Sequence, residues 1–142
     1  LPHETGRETL LDRVSFKKGC YLGQEVVARM ESLGHPKQRL VGLRIERPIA
    51  TASPTPNPFL AGQDEPQTGS VLVDHDSPDA ASTGVVGAVT SAGMSPMLGS
   101  ASVAFAMVKW SHATEGRKLF VQTAGHRLPA TVHESLKFWQ RT

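Results

Sequence analysis

The chain holds a single cysteine and a single tyrosine. One thiol excludes an intrachain disulfide framework and fits a reducing compartment. No apolar run approaches the roughly 20 residues that a membrane helix requires. Residues 1–13 mix acidic, basic and polar side chains, so they do not read as a signal peptide. The formal net charge is only +2, too small to drive nucleic-acid binding. Six histidines are scattered, none at i,i+4 on a helix and none beside a second cysteine. A zinc site needs three or four convergent ligands, so no metal site is expected; Asp74-His75-Asp76 could bind a cation but reads rather as a solvated turn. The chain opens on Leu1-Pro2 with no initiator methionine, which reads as a fragment or a trimmed chain.

What charge there is lies unevenly. Residues 1–46 hold eight Lys/Arg and six Asp/Glu, residues 47–83 hold one and five, and residues 84–142 hold six and two. The acidic middle coincides with Pro48, Pro54, Pro56, Pro58 and Pro66. Proline removes backbone donors and breaks both regular structures, so a mobile loop is predicted over 50–67.

The one cysteine sits in Lys17-Lys18-Gly19-Cys20-Tyr21-Leu22-Gly23-Gln24-Glu25. A helix is predicted from Gln24 to about Leu33: Val26, Val27 and Met30 share a face, and Glu25 and Arg29 form an i,i+4 pair. Gly34 and Pro36 then end it. Cys20 would lie on a glycine-flanked turn just before a helix N-terminus. There the dipole and the two lysines favour thiolate. The other reading of a lone cysteine is a small buried hydrophobe.

Short strands are expected at Val14–Phe16, Arg39–Ile45, Ser70–Val73, Gly84–Ser91, Ala101–Trp110, Lys118–Thr123 and Pro129–His133, separated by turn signals. Glycines inside the Gly84–Ser91 strand suggest a bulge or tight bend. The expected fold class is mainly β, a small antiparallel β-barrel closed or nearly closed over residues 84–134. Val86, Val89, Val103, Phe105, Phe120 and Val132 are its expected core, and Trp110 and Trp139 are read as core or plug residues.

The segment Lys18-Gly19-Cys20-Tyr21-Leu22-Gly23-Gln24-Glu25, preceded by Val14-Ser15-Phe16, resembles the K-G-C-Y-x-G-Q-E signature of the YgfZ family. Its members are folate-binding proteins that assist iron–sulfur cluster assembly and repair, and they are relatives of the glycine-cleavage T-protein. Gly84 to Gly99 is similar to the G-x-V-T-S-G-x-x-S-P-x-L run of the T-protein C-terminal β-barrel. Leu1-Pro2-His3-Glu4-Thr5-Gly6 looks like the turn that closes the superfamily's folate-binding domain. The resemblance implies a C-terminal strand–helix piece of a folate-binding domain over 1–35, then a barrel domain over 36–142 with a Pro-rich insertion near 47–69. The upstream folate-domain segment would be missing from this chain.

The resemblance also implies Cys20 as the catalytic residue, meeting a cluster, a partner or an oxidised folate species. The cofactor would be tetrahydrofolate in the intact protein. Its contacts would be Glu4 near the pterin, Lys18 and Arg29 within the motif, and Arg39, with Lys37, toward a polyglutamate tail. Leu33 stands where the family often carries arginine, so no anion contact transfers to it. Implied partners are folate and iron–sulfur cluster proteins or assembly factors, with no membrane and no direct nucleic acid. The implied location is the cytoplasm, or the mitochondrial matrix in a eukaryote. A tetrahydrofolate-dependent aminomethyltransferase, which would need no cysteine, and a non-catalytic interaction module stand beside this reading.

Overall fold

Six segments with a two-residue apolar period form strands: β1 (Gln38–Ile45), β2 (Val71–Asp74), β3 (Val85–Ser95), β4 (Ala101–Lys109), β5 (Lys118–Gln122) and β6 (Arg127–His133). The computed structural model describes residues 1–46, 65–74, 84–98, 101–124 and 126–136. Most of the loop predicted to be mobile, and Trp139, lie outside the described residues. Every neighbouring pair is antiparallel, in the order β1-β4-β3-β2-β5-β6. β6 returns to β1, pairing Gly42 with His133 through Ile45 with Ala130, and closes a barrel. Closure leaves no sheet edge to pair with another chain.

Val41, Leu43, Leu72, Val108, Leu119, Val121 and Val132 are fully buried inside the barrel, and Val86 and Val89 are buried with them. Three of the expected core residues are not. Val103, Phe105 and Phe120 are only half-buried, because β4 and β5 turn their other faces inward. β4 sends Ser102, Ala104, Ala106 and Val108 to the interior. A barrel of about eight strands is only just wide enough for its own side chains. A six-stranded one is narrower, and alanines fit where phenylalanine would not. Phe105 instead stands opposite Gly42 and, with Val103 and Met97, borders an apolar groove of about 440 Å3 along β3 and β4.

The glycine expectation for β3 holds at Gly87. The pairing of β2 with β3 slips there, from Leu72–Gly87 to Val73–Val85. A Cβ on Gly87 would lie 2.3 Å from the Met107 carbonyl oxygen of β4, so the close approach of these strands requires glycine. Gly87→Ala is expected to destabilise the barrel by about 1–3 kcal/mol, the usual cost of overpacking. Chemical denaturation with an unchanged slope would measure it. A second irregularity, between Val89 and Ser91, lies at Thr90, whose hydroxyl donates to the Phe105 carbonyl at 3.0 Å.

Ahead of the barrel lie a 3₁₀ turn (Pro2–Thr5), α1 (Arg7–Arg13) and α2 (Gln24–Leu33). α2 has the predicted bounds. α1 was not expected: of the Leu10–Leu11 pair only Leu10 is buried, while Leu11 is exposed, so the helix leaves little periodic trace. Val14–Phe16 is not a strand. Val14 is extended (φ −118°, ψ 127°) as the C-terminal cap of α1, Phe16 begins a turn, and a strand without a paired neighbour is not stable.

At the barrel rim Lys118 Nζ donates to Glu46 Oε1 at 2.6 Å, and Thr131 Oγ1 donates to the same oxygen at 3.3 Å. The Lys118 hydrogen bond and charge hold the Glu46 carboxyl below its ordinary value. A depressed carboxylate contributes stability above its unfolded value, and that contribution is lost as pH falls through the folded one. Glu46 is exposed, so the contribution is small. Lys118→Ala is expected to move the Glu46 titration, followed by carboxyl NMR, back up toward the ordinary range.

Candidate functional site

The turn that carries Cys20 is shaped by the residues around it. Gly23 caps α2 with φ 84° and ψ 9°, a left-handed conformation that side chains disfavour. The Gln24 backbone N–H reaches the Tyr21 carbonyl at 3.3 Å, and the Gln24 side-chain oxygen accepts from the Tyr21 N–H at 3.3 Å. The -Y-L-G-Q- part of the motif therefore builds a closed turn at the head of α2. Cys20 immediately precedes that turn and is exposed. Among the described residues, apart from the adjoining ones, no atom lies within 4 Å of where a Cβ on Gly19 or Gly23 would stand. In this chain, therefore, Cys20 is not buried as a small hydrophobe would be.

The four expected folate contacts are not brought together. Glu4 accepts from the Leu1 amino group. The Lys18 and Arg29 side chains are exposed and make no hydrogen bond or ion pair among the described residues. Arg39 lies in β1 at the barrel rim, where its Nη1 donates to Glu134 Oε2 at 2.7 Å.

The barrel rim and the N-terminal elements enclose a cleft of about 290 Å3, lined by His3, Leu10, Glu31, His35, Arg39 and Trp110 among others. Glu31 of α2 ties the N-terminal elements together, accepting from His3 Nε2 at 3.2 Å and pairing with Arg7 at 3.5 Å. His35 stacks on Trp110 with ring centroids 4.8 Å apart and an 11° interplanar angle. The Arg39 guanidinium carbon lies 5.8 Å from the Trp110 ring centroid. Trp110 is therefore a rim residue, 38% exposed, and not barrel core or plug. In the sequence His3 and His35 are simply two of six scattered histidines. No spacing rule could have joined residues so far apart along the chain.

A closed six-stranded antiparallel barrel with a helix-and-turn segment ahead of β1 defines a class. Residues 38–138 match the glycine cleavage T-protein C-terminal barrel domain, and the chain belongs to that family. Among solved structures, the glycine cleavage system aminomethyltransferase T from Bartonella henselae superposes with a TM-score of 0.55, covering 81% of this chain and 25% of that one. At 23% identity that likeness shows the fold alone. The human mitochondrial iron–sulfur cluster assembly factor IBA57 is 44% identical over 46 residues, 32% of this chain and 13% of its own length. The tRNA-modifying protein YgfZ of Colwellia psychrerythraea is 35% identical over 71 residues, 49% of this chain and 21% of its own. The chain thus matches only a small part of either relative. Among the described residues no helix is long and apolar enough to cross a membrane.

Proposed function

We propose that this chain is the C-terminal part of a folate-binding protein that supports iron–sulfur cluster assembly or repair, with Cys20 as its working residue. The observation that carries the reading is the exposed thiol beside a turn fixed by Gly23 and Gln24. An exposed thiol can meet a partner as ligand or nucleophile where a buried one cannot. Its role is transient contact with a cluster, a partner or an oxidised folate species. The kinship with proteins named for cluster assembly supports that assignment. Residues 1–35 are taken as the end of a folate-binding domain and residues 36–142 as the barrel domain. Tetrahydrofolate is the proposed cofactor of the intact protein, with Glu4, Lys18, Arg29 and Arg39 as its contacts from this chain. The proposed location is the cytoplasm, or the mitochondrial matrix in a eukaryote. Depleting the full-length protein from cells should lower the activity of cluster-dependent enzymes; unchanged activities would reject the reading.

A second reading, as a non-catalytic interaction module, is favoured by one observation. Leu11, Tyr21, Leu22, Val26 and Leu33 of the N-terminal elements are all at least half exposed. So many large apolar side chains in one short segment are typical of a surface that meets another protein body.

A further inference from the structure

Closure removes the edges of the barrel wall, but β3 outruns it. β2 pairs with β3 only from Val85 to Ala88. Ser70 and Gly69 carry the pairing on to Val89, and the Thr68 hydroxyl donates to the Thr90 carbonyl at 3.2 Å. On its other side β3 stays paired with β4 as far as Ser95, opposite Ala101. From Ser91 to Ser95, therefore, β3 has a neighbour on one side only among the described residues. The backbone groups on its free side are a template for an added strand.

This edge is also unguarded. Ser91-Ala92-Gly93-Met94-Ser95 holds no charge and no proline, the residues that usually keep edges apart. Ser91 through Met94 are exposed. Beside them runs the apolar groove bordered by Met97, Val103 and Phe105, and every described residue lining it is uncharged. An occupant that matches must be extended, uncharged and able to cover apolar surface.

The edge itself has these properties. Turned about a two-fold axis through Gly93, a second β3 runs antiparallel to the first. Ser91 then stands opposite the partner's Ser95, Ala92 opposite the partner's Met94, and Gly93 opposite the partner's Gly93. Hydroxyl meets hydroxyl, a small apolar residue meets a long one, and no like charges meet; cross-strand pairs of these kinds stabilise a ladder. Ala92 lines the groove, so the partner's Met94 is brought to the groove wall. Methionine adapts well to irregular apolar surface.

We propose that two copies of this chain pair through the open edge of β3, antiparallel and centred on Gly93, so that one sheet runs across the interface. Such a contact uses the same patch on both copies and closes at the dimer. It is small, so the dimer is reversible and depends on concentration. It uses neither Cys20 nor the proposed folate contacts and does not depend on the cluster-maintenance reading.

The test is sedimentation equilibrium of the 142-residue chain. The average mass should rise with concentration toward twice the monomer value and no further. Gly93→Lys is the discriminating variant. Gly93 does not have a positive φ, and apart from adjoining residues a Cβ there meets nothing within 4 Å. The monomer can therefore accommodate the side chain, whereas the dimer would set two ammonium groups against each other at its axis. The dissociation constant should rise at least about tenfold, as like charges across an interface are costly. Gly93→Glu should behave in the same way, and an equimolar mixture of the two variants should dimerise again. Circular dichroism checks that each variant is folded. In the wild-type chain, amide hydrogen exchange within Ser91–Ser95 should slow as concentration rises, a readout that needs no variant. A monomer up to the solubility limit, exchange at this edge that ignores concentration, a dimer undisturbed by Gly93→Lys, or a mixture of folded variants that stays monomeric overturns the proposal.

Discussion

Cys20→Ser in the full-length protein should fail to restore cluster-dependent enzyme activity in cells depleted of the wild type, while melting at an unchanged temperature. The two readouts separate chemistry from structure. Cys20 is exposed, and surface substitutions of this kind stay within about 0.5 kcal/mol. Serine keeps roughly the size of the side chain but cannot supply a thiolate. The same exposure requires that iodoacetamide alkylate Cys20 in the native protein about as fast as in denaturant. A Cys20→Ser variant that fully restores enzyme activity would assign the thiol no working role.

The largest expected loss of stability comes from Leu43→Ala. Leu43 is fully buried at the centre of β1, paired with Ala104 of β4 on one side and Val132 of β6 on the other. Its neighbours are short side chains in a closed wall and cannot collapse into the space it vacates. The expected cost is about 2–5 kcal/mol, the range for deleting a buried leucine. Domains of this kind hold only about 5–15 kcal/mol in total, so equilibrium unfolding should show a large fall in midpoint. Lys37→Ala, at an exposed position just outside the same strand, should change it little.

Much of this architecture is legible in the chain. Val41, Leu43 and Ile45 alternate with polar or small residues and mark β1. Gln24 to Leu33 shows its helical face and the glycine that ends it. The motif around Cys20 draws attention to the one thiol that proves exposed. The inward face of β4 was not legible, because size and hydrophobicity both favoured Val103 and Phe105. The winning consideration was the bore of the barrel, a tertiary quantity that accepts Ala104 and Ala106. α1 was hidden because only Leu10 is buried. The cleft was hidden because its partners, His3, Glu31, Arg39 and Trp110, come from four elements, and each taken alone is an ordinary surface or core residue.

Barrel closure also governs how the chain can be made. β1 is synthesised first, but its two neighbours, β4 and β6, come much later. Until Arg127–His133 leaves the ribosome, the nascent sheet has two bare edges and an uncovered row of Val, Leu and Ile. Pairing between strands so distant in sequence is slow, since long loops must close before any contact rewards them. A chain interrupted before β6 would therefore be aggregation-prone at the bare edges of β1 and β5, whatever the merits of its individual strands.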